Sequence, residues 1–209
     1  MRLVVLKLGG SLLLRPDLPS RLRKVLSELE GVRRLIVVGG GTAADVVRDW
    51  SRIHQLPEES AHWLAVNSLS LTRDLIQRLM PELRKVVSPH EGERSWRESN
   101  APLLLDIDSF LRQLEPTDAS PLPHTWDVTS DSIAAWAAAR WSADELLLLK
   151  SADLEPGVTI NAACQAGLID DHFPNVAAQI PRISWCNLAS DPLTRTVWLE
   201  DGHLAPAVG

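Results

Sequence analysis

The sequence predicts an α/β fold: a three-layer αβα sandwich around a mainly parallel central sheet. Three apolar runs, Leu3-Val4-Val5-Leu6, Leu35-Ile36-Val37-Val38 and Leu146-Leu147-Leu148-Leu149, lack polar alternation, as strands covered on both faces do. The first two run into glycines, Gly9-Gly10 and Gly39-Gly40-Gly41. Segments with helical spacing follow the glycines, and strand-glycine-helix units in succession imply parallel strands with both glycine loops at the carboxyl edge of the sheet.

The elements follow in order. Leu18, Leu22, Val25, Leu26 and Leu29 mark one face of a first helix, ended by Gly31. Ala43, Val46, Val47, Trp50 and Ile53 mark a second helix. Glu58 to Met80 reads as one long helix closed by Pro81, with Trp63 and Leu69 exposed for a symmetry mate or laid on its own sheet. Lys85-Val86-Val87 is a short strand, His90 to Asn100 a polar loop, and Leu103-Leu104-Leu105-Asp106 a further strand before a short helix at Phe110. A proline-rich connection, Asp118 to Pro123, leads to an alanine-rich helix from Ile133 to Trp141, with Ser130 or Thr129 as its cap and Asp131 in its first turn. Short helices at Val158 to Ala166 and Phe173 to Ile180 and strands at Ile183 to Cys186 and Thr196 to Leu199 complete the chain. Gly202 to Gly209 is expected to fray.

Length and composition bound the function. At 209 residues the chain suits one globular domain, 1–209. A net charge of −6 provides no basic surface for a polyanion, which argues against nucleic acid as a partner. No apolar run approaches the roughly 20 residues that span a bilayer, and no leader pattern is present. Two cysteines, Cys164 and Cys186, make neither a disulfide framework nor a metal set, so a cytoplasmic protein with reduced thiols and no membrane contact is expected.

Lysine placement is the most specific chemical signal. Only four of the 21 basic residues are lysines, and Lys7 and Lys150 both end apolar strand-like runs. Burying an ammonium costs several kcal/mol unless an anion compensates. Glycines beside it let backbone N–H groups approach a phosphate. Read alone, the opening stretch fits an exposed strand end and an ordinary turn equally well. The carboxyl edge as a whole gathers Lys7, Gly9, Gly10, Ser11, Gly39 to Gly41, Asp131 and Lys150 to Asp153. Two anion cradles, two lysines and an aspartate to hold the lysines or a magnesium ion suit phosphoryl transfer between two anionic ligands. Neither a Walker A sequence nor a Gly-x-Gly-x-x-Gly fingerprint occurs.

Lys7-Leu8-Gly9-Gly10-Ser11, Val38-Gly39-Gly40-Gly41, Thr129-Ser130-Asp131-Ser132-Ile133-Ala134 and Leu149-Lys150-Ser151-Ala152-Asp153 together resemble the ordered motifs of the amino acid kinase family. That family includes acetylglutamate kinase, aspartokinase, uridylate kinase and isopentenyl phosphate kinase. The resemblance spans roughly residues 1 to 155. It implies an ATP- and Mg2+-dependent phosphotransferase acting on a small-molecule acceptor, and a homodimer or higher homo-oligomer. Carried over by motif, Lys7 stabilises the transferring phosphoryl group, Asp131 organises the lysines, and Lys150 is the candidate second lysine. Gly9, Gly10 and Ser11 bind donor phosphates, with Ser151 and Asp153 near the nucleotide. Gly39, Gly40 and Gly41 seat the acceptor, with Asp45 just beyond them, and no residue is assigned as a protein ligand to a metal. Where relatives continue from the last aspartate into a glycine and a longer nucleotide loop, this chain has Leu154-Glu155-Pro156-Gly157. A non-catalytic anion- or nucleotide-binding protein is the rival from another class.

Within the family, the stretch from Pro123 to Ala134 most resembles the small kinases of methanofuran biosynthesis, which phosphorylate an aminomethylfuranyl-methyl phosphate to its diphosphate. For such an acceptor Trp126 is the candidate to stack on the ring, and Asp127 or Asp106 to meet the amine. A core aromatic beside the alanine helix is the equally weighted alternative for Trp126. His124 is a candidate phosphate contact, although an isolated loop histidine is more often structural or merely exposed. Uridylate or small-acid kinase activity is the alternative acceptor reading.

Overall fold

The computed structural model of the protein describes residues 1–205. Its core is an eight-stranded sheet in the order β3-β4-β2-β1-β5-β6-β7-β8. The strands are β1 (Leu3–Leu8), β2 (Arg33–Val38), β3 (Arg84–Val86), β4 (Leu103–Leu105), β5 (Glu145–Lys150), β6 (Arg182–Asn187), β7 (Arg195–Glu200) and β8 (His203–Leu204). The pairings from β3 through β6 are parallel, and β7 and β8 add antiparallel. This is the α/β architecture with a mainly parallel central sheet that the sequence predicts.

The helices are α1 (Leu18–Glu28), α2 (Gly41–His54), α3 (Glu58–Leu79), α4 (Pro89–Glu98), α5 (Ile107–Leu114), α6 (Ser130–Arg140), α7 (Ile160–Gln165) and α8 (Phe173–Ala177). Strand parity divides the core between the two faces of the sheet. Val4, Leu6 and Leu8 pack with Leu18, Leu22 and Leu26 of α1, whereas Leu3, Val5, Leu146 and Leu148 pack beneath α6 and its neighbours. Lys7 and Lys150 have the parity of this second set, so both ammoniums lie on the α6 side.

Residues 89–98 form a helix where the sequence suggests a loop. Ser88 accepts a hydrogen bond from the Glu91 N–H at 3.3 Å, and Glu91 accepts one from the Val87 N–H at 2.8 Å. That reciprocal arrangement is close to a capping box, with Pro89 in the first turn. Polar composition masked the helix because its buried side is only Gly92, Ser95 and Trp96.

Leu69 is buried rather than exposed, and Trp63 is half-buried, its indole donating to Glu59 at 2.8 Å. The apolar residues α3 leaves in solvent are instead Leu64, Leu71, Leu75 and Leu79. The tail expected to fray begins with β8, paired to β7, and its last four residues, 206–209, lie outside the described part. Among the described residues no helix is long and apolar enough to cross a membrane.

Candidate active site

β1 and β5 are adjacent and in parallel register, Lys7 opposite Leu148 and Leu8 opposite Leu149. Lys7 and Lys150 therefore emerge side by side at the carboxyl edge, and the N-terminus of α6 lies over them. Asp131, in the first turn of α6, takes one ammonium on each carboxylate oxygen: Lys7 Nζ is 2.8 Å from Oδ1 and Lys150 Nζ 2.7 Å from Oδ2. Lys7 and Asp131 are only 3% and 6% exposed.

The two contacts differ. Lys150 is held by a hydrogen bond to Asp131 and a second, also at 2.7 Å, to the Leu168 carbonyl. Lys7 approaches Oδ1 closely but without hydrogen-bond alignment, which leaves N–H directions free for another anion. Burial acts to raise the Asp131 pKa, but Lys7 and Lys150 outweigh it and hold the carboxyl below its ordinary range. Burial, then the charge of Lys7, brings Lys150 down to about 8. Two cations on one carboxylate leave a net positive site aimed at the loop edge.

The glycines are explained first by contact between the two loops. A Cβ on Gly10 would lie 2.2 Å from the Gly41 nitrogen and 2.4 Å from its Cα. Gly41 itself has φ +53°, a conformation that favours glycine. The Gly9 N–H donates to the Leu149 carbonyl at 2.8 Å, tying the first loop to β5, and Ser11 and Ser151 meet through their hydroxyls at 2.9 Å. Asp153 accepts from the Asn187 amide at 2.9 Å. Gly9, Gly10, Ser11, Ser151 and Asp153 thus gather around the β1 and β5 ends.

Asp131 also lines a cavity of about 380 Å³. Gly40 and Gly41 form its floor with Gly10 and Ser11, and Asp45 and Trp126 line it, as their positions in the sequence suggest. Gly39 does not reach it, being packed so that a Cβ would lie 2.8 Å from Ser130 Oγ. Trp126 is half-exposed rather than part of the core, and the Arg48 guanidinium lies 5.0 Å from its ring centre.

Three expectations are corrected. Asp127 is exposed and does not line the cavity; only its carbonyl is used, accepting from the His172 N–H at 3.2 Å. Asp106 caps α5 and is buried in ion pairs with Arg73 and Lys85, so it is committed to the framework. His124 faces away from the phosphate-type cradles and pairs with Glu59 and Glu115.

Sequence reading misses three residues. Arg48 continues the Gly41, Ala44 and Asp45 face of α2, a helical spacing that was there to be found. His62 enters the cavity wall from α3. Asp170 carried no sequence signal. Its carboxylate accepts from the Thr129 N–H at 3.0 Å, the Thr129 hydroxyl at 2.7 Å, the Ser132 N–H at 3.0 Å and the Ser132 hydroxyl. Thr129 occupies the N-cap of α6 but caps nothing with its own side chain; Asp170 does it from a distant loop.

The profile of the amino acid kinase family matches residues 2–154. No curated protein sequence matches the chain. Solved structures with similar folds include uridylate kinase from Archaeoglobus fulgidus (20% identity, 77% of this chain and 70% of that one, TM-score 0.52). UMP kinase from Ureaplasma parvum aligns over 92% of both chains at 14% identity and TM-score 0.61. UMP kinase from Bacillus anthracis aligns over 91% of this chain and 89% of that one at 12% identity and TM-score 0.64. With the family profile covering residues 2–154 and the motifs inside that span, the chain belongs to the amino acid kinase family and is a small-molecule phosphotransferase of that family.

Proposed function

We propose that this phosphotransferase moves the γ-phosphoryl group of ATP to a small acceptor that already bears a phosphate, with an aminomethylfuranyl-methyl phosphate as the preferred acceptor and its diphosphate as the product. The observation that carries the reading is the cavity itself. It opens directly onto the carboxylate shared by Lys7 and Lys150, and its wall offers a guanidinium, an indole face and a carboxylate in Arg48, Trp126 and Asp45. A phosphate, a flat ring and a primary amine would use one each, with the acceptor drawing Arg48 from its 3.1 Å pair with Asp45 and from the Trp126 ring.

ATP supplies the phosphoryl group and magnesium neutralises its phosphates when bound. Both oxygens of Asp131 are taken by lysines and, among the described residues, no carboxylate set converges there, so a magnesium ion held mainly by phosphates and water fits. Lys7 and Lys150 balance charge on the oxygens around the transferring phosphorus, and Asp131 fixes both ammoniums. The Gly10 and Ser11 backbone borders the donor phosphates, with Ser151 and Asp153 on the nucleotide side. An acceptor phosphate oxygen attacks the γ-phosphorus, and the bond to the ADP oxygen breaks. That nucleophile is already ionised near neutral pH, so no general base is required of the protein.

Uridylate kinase activity is the second reading, favoured by the UMP kinases among its structural neighbours. We place the reaction in the cytoplasm, and the protein as a homodimer. The apolar stripe of Val46, Trp50 and Ile53 on α2 and that of Leu71, Leu75 and Leu79 on α3, both exposed, supply surface for a second copy. Magnesium-dependent ADP release across aminomethylfuranyl-methyl phosphate, UMP, isopentenyl phosphate, acetylglutamate and aspartate, with product masses, separates the readings. Turnover of UMP alone would replace the furan assignment; ATP binding without turnover of any acceptor would favour a binding protein.

A further inference from the structure

Behind the cavity, on the far side of His62, lies a cluster that the kinase chemistry does not use. His62 of α3, Glu115 and His124 each offer a ligand atom within 4.8 Å of the others. The His62 and His124 rings stack with centroids 4.0 Å apart and planes 10° from parallel. His62 is 7% exposed, and its Nε2 has no hydrogen-bond partner among the described residues. An unsatisfied buried nitrogen destabilises the fold, so a group that occupies it stabilises it.

The second observation is the pairing around His124. Nδ1 faces the Glu59 carboxylate, and Nε2 lies 3.2 Å from Glu115 Oε2. Carboxylates only accept, so the Nε2 contact with Glu115 is favourable only with a cation on that nitrogen, a second ring proton or a metal ion. Glu115 is buried and oriented for it, since its other oxygen accepts from the Leu122 N–H at 3.0 Å.

We propose that His62, His124 and Glu115 form a binding site for a divalent transition-metal ion of the zinc class, with Glu59 behind His124 as the carboxylate that fixes its ring. Two imidazoles and one carboxylate are a donor set for zinc and its neighbours, whereas magnesium and calcium prefer oxygen alone. A ligating histidine that donates its other N–H to a carboxylate is the usual supporting arrangement at such ions. A second cavity, lined by Glu59, Trp63, Glu115, Asp118 and His124, provides entry. The stacked rings turn about their Cβ–Cγ bonds for both nitrogens to meet one ion. The bound ion pins α3 to the 115–124 segment that leads into Trp126, so it braces one wall of the acceptor cavity without touching the reacting atoms.

The test is calorimetric titration of the chelator-treated full chain with zinc chloride, repeated with cobalt(II) and read by visible absorption. One zinc ion per chain is expected, with a cobalt spectrum of low coordination number. His62→Gln and His124→Gln, each checked for folding by circular dichroism, are expected to weaken zinc binding by more than the roughly 10- to 100-fold that loss of an outer-shell partner costs. His172→Gln, outside the cluster, is expected to leave it unchanged. Glu59→Gln keeps all three ligands and is expected to give the smaller, outer-shell loss. Absence of stoichiometric binding in the folded chain would overturn the proposal, as would binding that survives in His62→Gln and His124→Gln together.

Discussion

Asp170 caps helix α6 from 41 residues downstream of Thr129, accepting from both the Thr129 N–H at 3.0 Å and its hydroxyl at 2.7 Å. The same carboxylate also takes the Ser132 N–H and hydroxyl and the Phe173 N–H, so it spans the residues on either side of Asp131. Asp131 thus reaches both lysines because its helix start is fixed from outside. Asp170→Asn keeps the volume but removes charge and acceptor capacity at a helix N-terminus. Loss of about 1–3 kcal/mol of stability is expected by chemical denaturation. The phosphoryl-transfer rate is expected to fall in the folded variant while ATP affinity holds, because Asp131 is displaced; an unchanged kcat would show that Asp170 is structural alone.

Asp131→Asn removes the one anion shared by two buried ammoniums. Leaving charges buried without a partner costs about 3–5 kcal/mol. Denaturation should report a loss of that size, and substitution of Lys7 by Met in the same background should recover part of it. Lys7→Ala is expected to lower kcat by about 100- to 1000-fold, the usual effect of removing one donor from developing charge.

The pH dependence follows from Lys150, whose pKa falls from 10.5 to about 8 through burial and the nearby Lys7. Its proton is bound more weakly in the folded than in the unfolded chain. Stability from this group therefore increases with pH between about 8 and 10.5 and is unchanged below that window. Activity moves the other way: kcat/KM is expected to fall as pH rises through about 8, when the ammonium is lost. Lys150→Arg keeps its charge throughout and should erase that limb. A limb of unchanged position in this variant would assign it to another group.

Gly10→Ala places a methyl 2.2 Å from the Gly41 nitrogen, a backbone atom with no freedom to rotate away. The two loops must separate, with an expected loss of about 1–3 kcal/mol. Gly31→Ala is the control for glycine substitution without a clash: its site is open, though its φ of +86° carries strain. Equal melting temperatures for wild type and Gly10→Ala would contradict the loop contact.

Light scattering is expected to give twice the chain mass, and Ile53→Glu or Leu71→Glu, both exposed, to shift it toward the monomer. A wild-type monomer would remove the role assigned to these stripes.

Much of the architecture was legible because parallel strands covered on both faces are written as unbroken apolar runs, and because Lys7 and Lys150 share parity with the residues beneath α6. Their convergence on Asp131 follows from β1 and β5 being neighbours, which the order of motifs implied but no single stretch stated. What stayed hidden depends on long-range contact. Asp170 sits in a polar break, Leu168-Ile169-Asp170-Asp171-His172, where its partners lie 38 and 41 residues upstream. Asp106 and Asp127 looked equally available as amine contacts, and only burial separates an aspartate locked to Arg73 from one in open solvent. The α4 helix had its start written in Ser88-Pro89-His90-Glu91, but its polar surface outweighed that short signal.

The most direct test of the account is phosphorus NMR of the chain with ATP, magnesium and aminomethylfuranyl-methyl phosphate, run beside Lys7→Ala. The account predicts that wild-type protein converts the acceptor's single phosphate resonance into the coupled pair of a diphosphate as ADP accumulates, and that Lys7→Ala leaves it unconverted on the same timescale. Diphosphate formation at an equal rate in both, or none in the wild type while UMP is turned over, would contradict it.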